Sequence, residues 1–148
     1  IGYFIDESGD DQYRTLCGVN AGLSWDLTCV AFIDKSGNDT YDAGGFSRGA
    51  SAHNGFCLFM DLGGKDTYKD SVALTSGNNY HGGYSLSIFL DQGPESDVYP
   101  NRTNNNIEVN TEYSIFIDTD KEIEDLLKDD GYKGILKNNI KAKEEPKN

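Results

Sequence analysis

The sequence predicts an all-β protein, a right-handed parallel β-solenoid (β-helix) of about four to five rungs with a short helical C-terminal cap. Three observations carry that prediction. Five times an apolar run ends in Phe, a bulky aliphatic residue and Asp: Phe4-Ile5-Asp6, Phe32-Ile33-Asp34, Phe59-Met60-Asp61, Phe89-Leu90-Asp91 and Phe116-Ile117-Asp118. The aspartates are spaced by 28, 27, 30 and 27 residues, a period at which repetition means stacked supersecondary units. A turn pattern follows the motif, and the segments between one turn and the next strand show neither a helical stripe nor leucine-rich spacing, so helical solenoids and leucine-rich repeats fit poorly.

Taken in order, the first unit reads Asp6-Glu7-Ser8-Gly9-Asp10-Asp11-Gln12-Tyr13, the second Asp34-Lys35-Ser36-Gly37-Asn38-Asp39-Thr40-Tyr41 and the third Asp61-Leu62-Gly63-Gly64-Lys65-Asp66-Thr67-Tyr68. Their common form is D-x-x-G-x-D-x-Y. A fourth unit runs from Asp91 to Asp97 and Tyr99 with one extra residue in the turn, and a fifth keeps only Phe116-Ile117-Asp118. If each unit is one coil, equivalent residues stack about 4.8 Å apart, giving columns of Phe, aliphatic, Asp, Gly and Tyr. Phe and Tyr fill the interior, Gly takes the positive φ of a tight corner, and Asp caps the turn. A half-buried strand alternates, yet both residues before each Asp are large and apolar. The expected arrangement is a corner that begins at once and turns the second residue inward, with a covering layer over the outer face as the alternative.

Domain 1–118 is thus assigned to solenoid repeats and 119–148 to a helical cap and solvated tail. Thr119-Asp120-Lys121-Glu122 forms a capping-box pattern before Ile123, Leu126 and Leu127. Gly131 and Gly134 break that helix, and Ile135, Leu136 and Ile140 predict a second short one. The chain opens inside a repeat, so we expect it to be an excised or processed piece whose open N-terminal rung is available for self-association.

Composition narrows the function classes. With 25 acidic against 13 basic residues the net charge is -12, which opposes nucleic acid and anionic membranes and favours cations or basic partners. No run approaches the roughly 20 apolar residues of a membrane span, so no membrane insertion is expected. Cys17, Cys29 and Cys57 are odd in number and lack metal-ligand spacing, so they read as small buried hydrophobes, with one pair plus a free thiol as the alternative.

The acidic columns are the strongest chemical lead. Two unit charges 4.8 Å apart repel by about 3.5 kcal/mol at an effective dielectric near 20, so a carboxylate column needs compensation. Asp11, Asp39, Asp66 and Asp97 beside carbonyl-rich turns make an oxygen-only set suited to a hard cation such as Ca²⁺. The flanking column of Asp6, Asp34, Asp61 and Asp91 extends the candidate ligands. The alternatives are that these residues only form turns, or that they present an acidic surface to a partner.

Locally, Ser36-Gly37-Asn38-Asp39-Thr40-Tyr41 and Gly63-Gly64-Lys65-Asp66-Thr67-Tyr68 resemble half of the glycine- and aspartate-rich nonapeptide of calcium-binding RTX proteins. That resemblance implies Asp39 and Asp66 as side-chain ligands, with Gly37 and Gly64 offering carbonyls. Over residues 3 to 99 the pattern is similar to tandem D-x-G-G-x-D-x-Y repeats of uncharacterised exported bacterial proteins, a resemblance that implies a fold more than a function.

His53 and His81 fall at different offsets from the following Asp and form no ladder, and no nucleophile elbow marks a catalytic site. Tyr3, Tyr13, Tyr41, Tyr68, Tyr80, Tyr84 and Trp25 could stack on sugars if exposed, but four of the tyrosines keep the motif phase, which argues for corner packing instead. The functional expectation is a non-enzymatic, secreted or cell-surface structural or binding module with a protein or polysaccharide partner. The competing class is a carbohydrate-active β-helix using Asp66 with Arg48 in a groove, and a third is a self-assembling solenoid subunit.

Overall fold

The computed structural model describes residues 1–14, 22–44, 46–75, 84–110 and 113–128. Cys17, Tyr80, His81, the expected second helix around Ile135 to Ile140 and the tail lie outside the described residues. The first coil contributes β1 (Gly2–Asp6), β2 (Gln12–Arg14) and β3 (Leu23–Ser24), the second β4 (Cys29–Asp34), β5 (Thr40–Asp42) and β6 (Ala50–Ser51), and the third β7 (Phe56–Asp61), β8 (Thr67–Tyr68) and β9 (Leu74–Thr75). The fourth begins with β10 (Leu86–Gln92), and β11 (Ile107–Val109), β12 (Ser114–Thr119) and the short helix α1 (Ile123–Lys128) complete the described elements.

These strands form three sheets, ordered β1-β4-β7-β10-β12-β11, β2-β5-β8 and β3-β6-β9. Among the described strands pairing is parallel from rung to rung, except that β11 runs antiparallel against β12. The chain is therefore a parallel β-solenoid of about four turns with one short helix near its C-terminal end.

Register follows the motif residue for residue. Phe4, Phe32, Phe59, Phe89 and Phe116 are mutual partners, and so are Asp6, Asp34, Asp61, Asp91 and Asp118. The Phe rings stack with centroids 5.0, 4.8, 4.8 and 5.4 Å apart. A second file, Tyr13, Tyr41, Tyr68 and Tyr99, stacks at 5.0, 4.8 and 4.8 Å and meets the Phe file edge to face. Offset and perpendicular ring contacts each add about 0.5–1.5 kcal/mol beyond the buried area, so the two files lock the register as well as fill the core.

The burial pattern corrects the expected corner. In β4 and β7 burial alternates strictly to the end of the strand, with Phe32, Asp34, Phe59 and Asp61 inward and Ile33 and Met60 outward and half-buried. The aliphatic residue does not turn in. Ile5 is exposed, while Leu90 on the same outer column is buried. The pleat continues through the Asp because its carboxylate is wanted inside. The helix start also differs. Thr119 remains the last residue of β12, its Oγ1 accepts from the Lys121 amide, and the helix begins only at Ile123.

Candidate functional site: the acidic corner

The Asp residues of the first column use their two carboxylate oxygens for different tasks, turn closure being made by Asp6, Asp34 and Asp61, whereas Asp118 Oδ1 accepts from the Asn105 amide. Oδ1 accepts from the backbone amide two residues on, Ser8 for Asp6, Ser36 for Asp34 and Gly63 for Asp61, which tightens the turn. Oδ2 accepts tyrosine hydroxyls. Tyr13 donates to Asp34 at 2.6 Å, Tyr41 to Asp61 at 2.6 Å and Tyr68 to Asp91 at 2.8 Å, each reaching the neighbouring rung. Longer contacts return to the tyrosine's own rung, Tyr41 to Asp34 at 3.3 Å and Tyr68 to Asp61 at 3.2 Å. Tyr99 sits 2.6 Å from Asp91 and 2.8 Å from Asp118. Hydroxyl and carboxylate thus alternate along the core.

The second Asp of each turn builds a parallel ladder. Asp39 Oδ1 accepts from the Asp11 amide, Asp66 Oδ1 from the Asp39 amide and Asp97 Oδ1 from the Asp66 amide, all at 2.6 Å. The rung-five position is filled by an amide, since Asn104 Oδ1 accepts from the Asp97 amide and its Nδ2 donates back to Asp97 O. The other oxygen is left over. Oδ2 of both Asp39 and Asp66 is buried with no hydrogen-bond partner. An unmatched buried acceptor costs about 1–3 kcal/mol, and more when charged.

The two columns face one another. Oxygens of Asp39, Asp61 and Asp66 lie within 4.8 Å of each other, as do those of Asp66, Asp91 and Asp97. Removal from water is the leading cause that raises their pKa values, pushing Asp39 and Asp97 up to about 6. Asp61 and Asp66 move the same way, chiefly by burial and further by nearby carboxylates, Asp34 and Asp39 for Asp61 and Asp61, Asp97 and Asp39 for Asp66, and Asp91 is held well above the carboxylate range. Among the described residues, Arg102 places its guanidinium over the Phe116 ring at 5.5 Å, and a second basic group, Arg48, is more deeply buried. Arg48 is 1% exposed, its guanidinium lies over the Tyr41 and Phe32 rings at 5.1 and 5.6 Å, and it donates to Tyr13 O. Burial lowers its pKa only to about 10, so it stays charged at neutral pH.

Among the ten candidate ligand residues, the structure brings Asp39, Asp61, Asp66, Asp91 and Asp97 into these two clusters. Asp6 and Asp11 are half-buried on the first rung, and Asp34 is buried but paired with Tyr13. Gly37 and Gly64 have φ of +151° and +139°, and a Cβ on Gly64 would collide with Gly37 O; the turns stack too closely for any side chain. Arg48 lies in the core beneath the rings, away from an open groove with Asp66.

The tyrosine role was missed as hydrogen bonding, although Tyr follows the first Asp by seven residues in three units. On the opposite corner, Trp25 packs against His53 with ring centroids 4.7 Å apart, and His53 Nδ1 lies 2.7 Å from Asp26 Oδ1. Cys57 is buried with Sγ donating to Gly22 O, and Cys29 is half-buried; both are free.

The fold and the site define a parallel β-solenoid with a carboxylate-rich interior corner. In comparisons with known proteins, no family model, curated protein or solved structure matches the chain.

Proposed function

We propose that the chain is a non-enzymatic structural or binding module, secreted or displayed at the cell surface, with calcium as counter-charge in its acidic corner and a neutral polysaccharide as its partner. Acidity, turn-rich repeats and the resemblance to exported repeat proteins support the location. The observation that carries the binding role is the outer corner between the third and first sheets. There Trp25, Leu27 and Tyr84 are 45%, 69% and 68% exposed, Tyr84 lies 4.8 Å from Tyr113, and Asp26, Leu27, His53, Asn54 and Tyr113 all hold positive φ without being glycine.

Such conformations cost about 1–3 kcal/mol each and persist where surrounding structure holds them, often at binding sites. Planar rings offer stacking faces to sugars, and the -12 net charge favours a neutral glycan over an acidic one. Affinity electrophoresis in gels containing neutral polysaccharides tests this reading. Retarded migration that falls at least about tenfold in affinity (about 1.4 kcal/mol) in Trp25→Ala or Tyr84→Ala, without a change in melting temperature, is the expected result. No retardation by any glycan, or equal retardation of both variants, contradicts it.

A second reading, self-association, is favoured by the first rung. Among the described strands β1 lies at an edge of its sheet, and Tyr3 and Ile5 are exposed on it. Concentration-dependent light scattering that Tyr3→Lys abolishes would support it; a constant monomer mass would exclude it.

A further inference from the structure

Asp39 and Asp66 are 1% and 0% exposed, each commits Oδ1 to the amide of the preceding rung, and each leaves Oδ2 buried and partnerless within groups of carboxylates whose oxygens lie within 4.8 Å of one another. Backbone capping therefore accounts for one oxygen and leaves the other without a role. The first-column acids beside them are held in place from behind, Asp61 by Tyr41 and Tyr68 and Asp91 by Tyr68 and Tyr99, as ligands are by an outer shell of hydrogen bonds. Ion pairs among the described residues go to Glu7, Asp26, Asp42, Glu108 and Asp125, and a bound cation would supply counter-charge to the corner.

We propose that the corner holds two hard divalent cations, one among Asp39, Asp61 and Asp66 and one among Asp66, Asp91 and Asp97, with Asp66 as the carboxylate they share. The proposal rests on the calcium-braced reading above and gives it stoichiometry and ligands. In each trio the oxygens lie within 4.8 Å of one another, so a common centre is at most about 2.8 Å from each and shifts of a few tenths of an ångström bring all three to a Ca–O distance of about 2.4 Å. The donors are carboxylate oxygens alone, which suits calcium over the transition metals that favour imidazole or thiolate. Each ion would join consecutive rungs, because Asp39 belongs to the second coil, Asp61 and Asp66 to the third, and Asp91 and Asp97 to the fourth. The array ends chemically as well, since Asn104 replaces the acid at the next rung. Two ions, and no third beyond Asp97, follow.

The test uses the whole chain unfolded in EDTA, refolded without metal and titrated with CaCl₂ by calorimetry, with melts in parallel, because metal affinity and folding are coupled at a buried site. About two ions per chain and a melting temperature raised by roughly 5 °C or more at saturation are expected. Asp66→Asn should lose both ions and the calcium-dependent shift, Asp97→Asn should lose one, and Asp10→Asn, on the exposed side of the first turn, should change neither. In EDTA, Asp66→Asn should melt no lower than the parent, since one like charge leaves the cluster; that melt shows whether the variant is folded. Tyrosine-sensitised terbium emission from the unsubstituted chain gives a second readout that needs no variant. Absence of heat, shift and emission overturns both the calcium reading and this site. Binding that survives Asp66→Asn leaves the calcium reading standing and overturns the shared interior site.

Discussion

Asp61 shows what a single side chain does in this interior: one oxygen closes its own turn through the Gly63 amide, the other receives the Tyr41 and Tyr68 hydroxyls. Removing the donor should therefore cost more than the ring packing lost. Tyr41→Phe leaves both rings stacked but deprives a buried carboxylate of its 2.6 Å partner, and a loss of about 1.5–3 kcal/mol is expected in urea denaturation. Tyr3→Phe, at an exposed position, should be neutral and serves as the comparison. The acids also set the pH response of the metal-free chain. Their pKa values rise on folding from the ordinary 3.8, to about 6 for Asp39 and Asp97 and upward for Asp61, Asp66 and Asp91. The folded state thus binds more protons than the unfolded one, so this stability is fully present below the unfolded value of 3.8 and is lost progressively as the pH rises from there through about 6 and beyond. In EDTA the melting temperature should fall by on the order of 5–10 °C between pH 4.5 and 8; a melting temperature that rises over that interval would contradict these environments.

At the scale of the element, the unit is a strand ending in Asp, a glycine turn and a short strand carrying Tyr. Gly64 stands where φ is +139° and where a Cβ would meet Gly37 O, so Gly64→Ala must push two rungs apart. We expect a loss exceeding about 2 kcal/mol by chemical denaturation, against well under 1 kcal/mol for Lys65→Ala in the same turn. The strand, turn and tyrosine columns were legible in the sequence because equivalent residues recur at fixed offsets from the Asp, and a parallel stack turns equal offset into contact. The facing of the aliphatic column was not. Two adjacent apolar residues look like one buried pair, and nothing local reveals that the pleat runs on through Asp34 and Asp61 to present their carboxylates inward. The helix start was misplaced for a related reason: Thr119 fits a capping box, but pairing of β12 with β10 holds it in the sheet. The tyrosine-carboxylate bonds between rungs join residues 19 to 23 apart in sequence, so no local motif announces them; the Asp-to-Tyr spacing of seven in three units was the available signal. The Trp25, His53 and Asp26 grouping likewise arises from the coil closing, since its members come from adjacent rungs.

For the whole molecule, the continuous Phe and Tyr files make neighbouring rungs interdependent, as in other linear arrays whose stability is carried by nearest-neighbour interfaces. Phe59 is the middle of its file, 0% exposed and stacked on both Phe32 and Phe89. Phe59→Ala should cost about 3–5 kcal/mol, whereas Phe4→Ala, at the half-buried start of the file, should cost clearly less in the same assay. The acidic corner runs alongside these files, and a shared cation would couple three coils through one carboxylate. Anomalous diffraction from crystals grown with a calcium or terbium salt tests that claim most directly. Two interior peaks, one among Asp39, Asp61 and Asp66 and the other among Asp66, Asp91 and Asp97, are the predicted result; an interior without peaks, or ions found only on outer carboxylates such as Asp10 and Asp42, would contradict it.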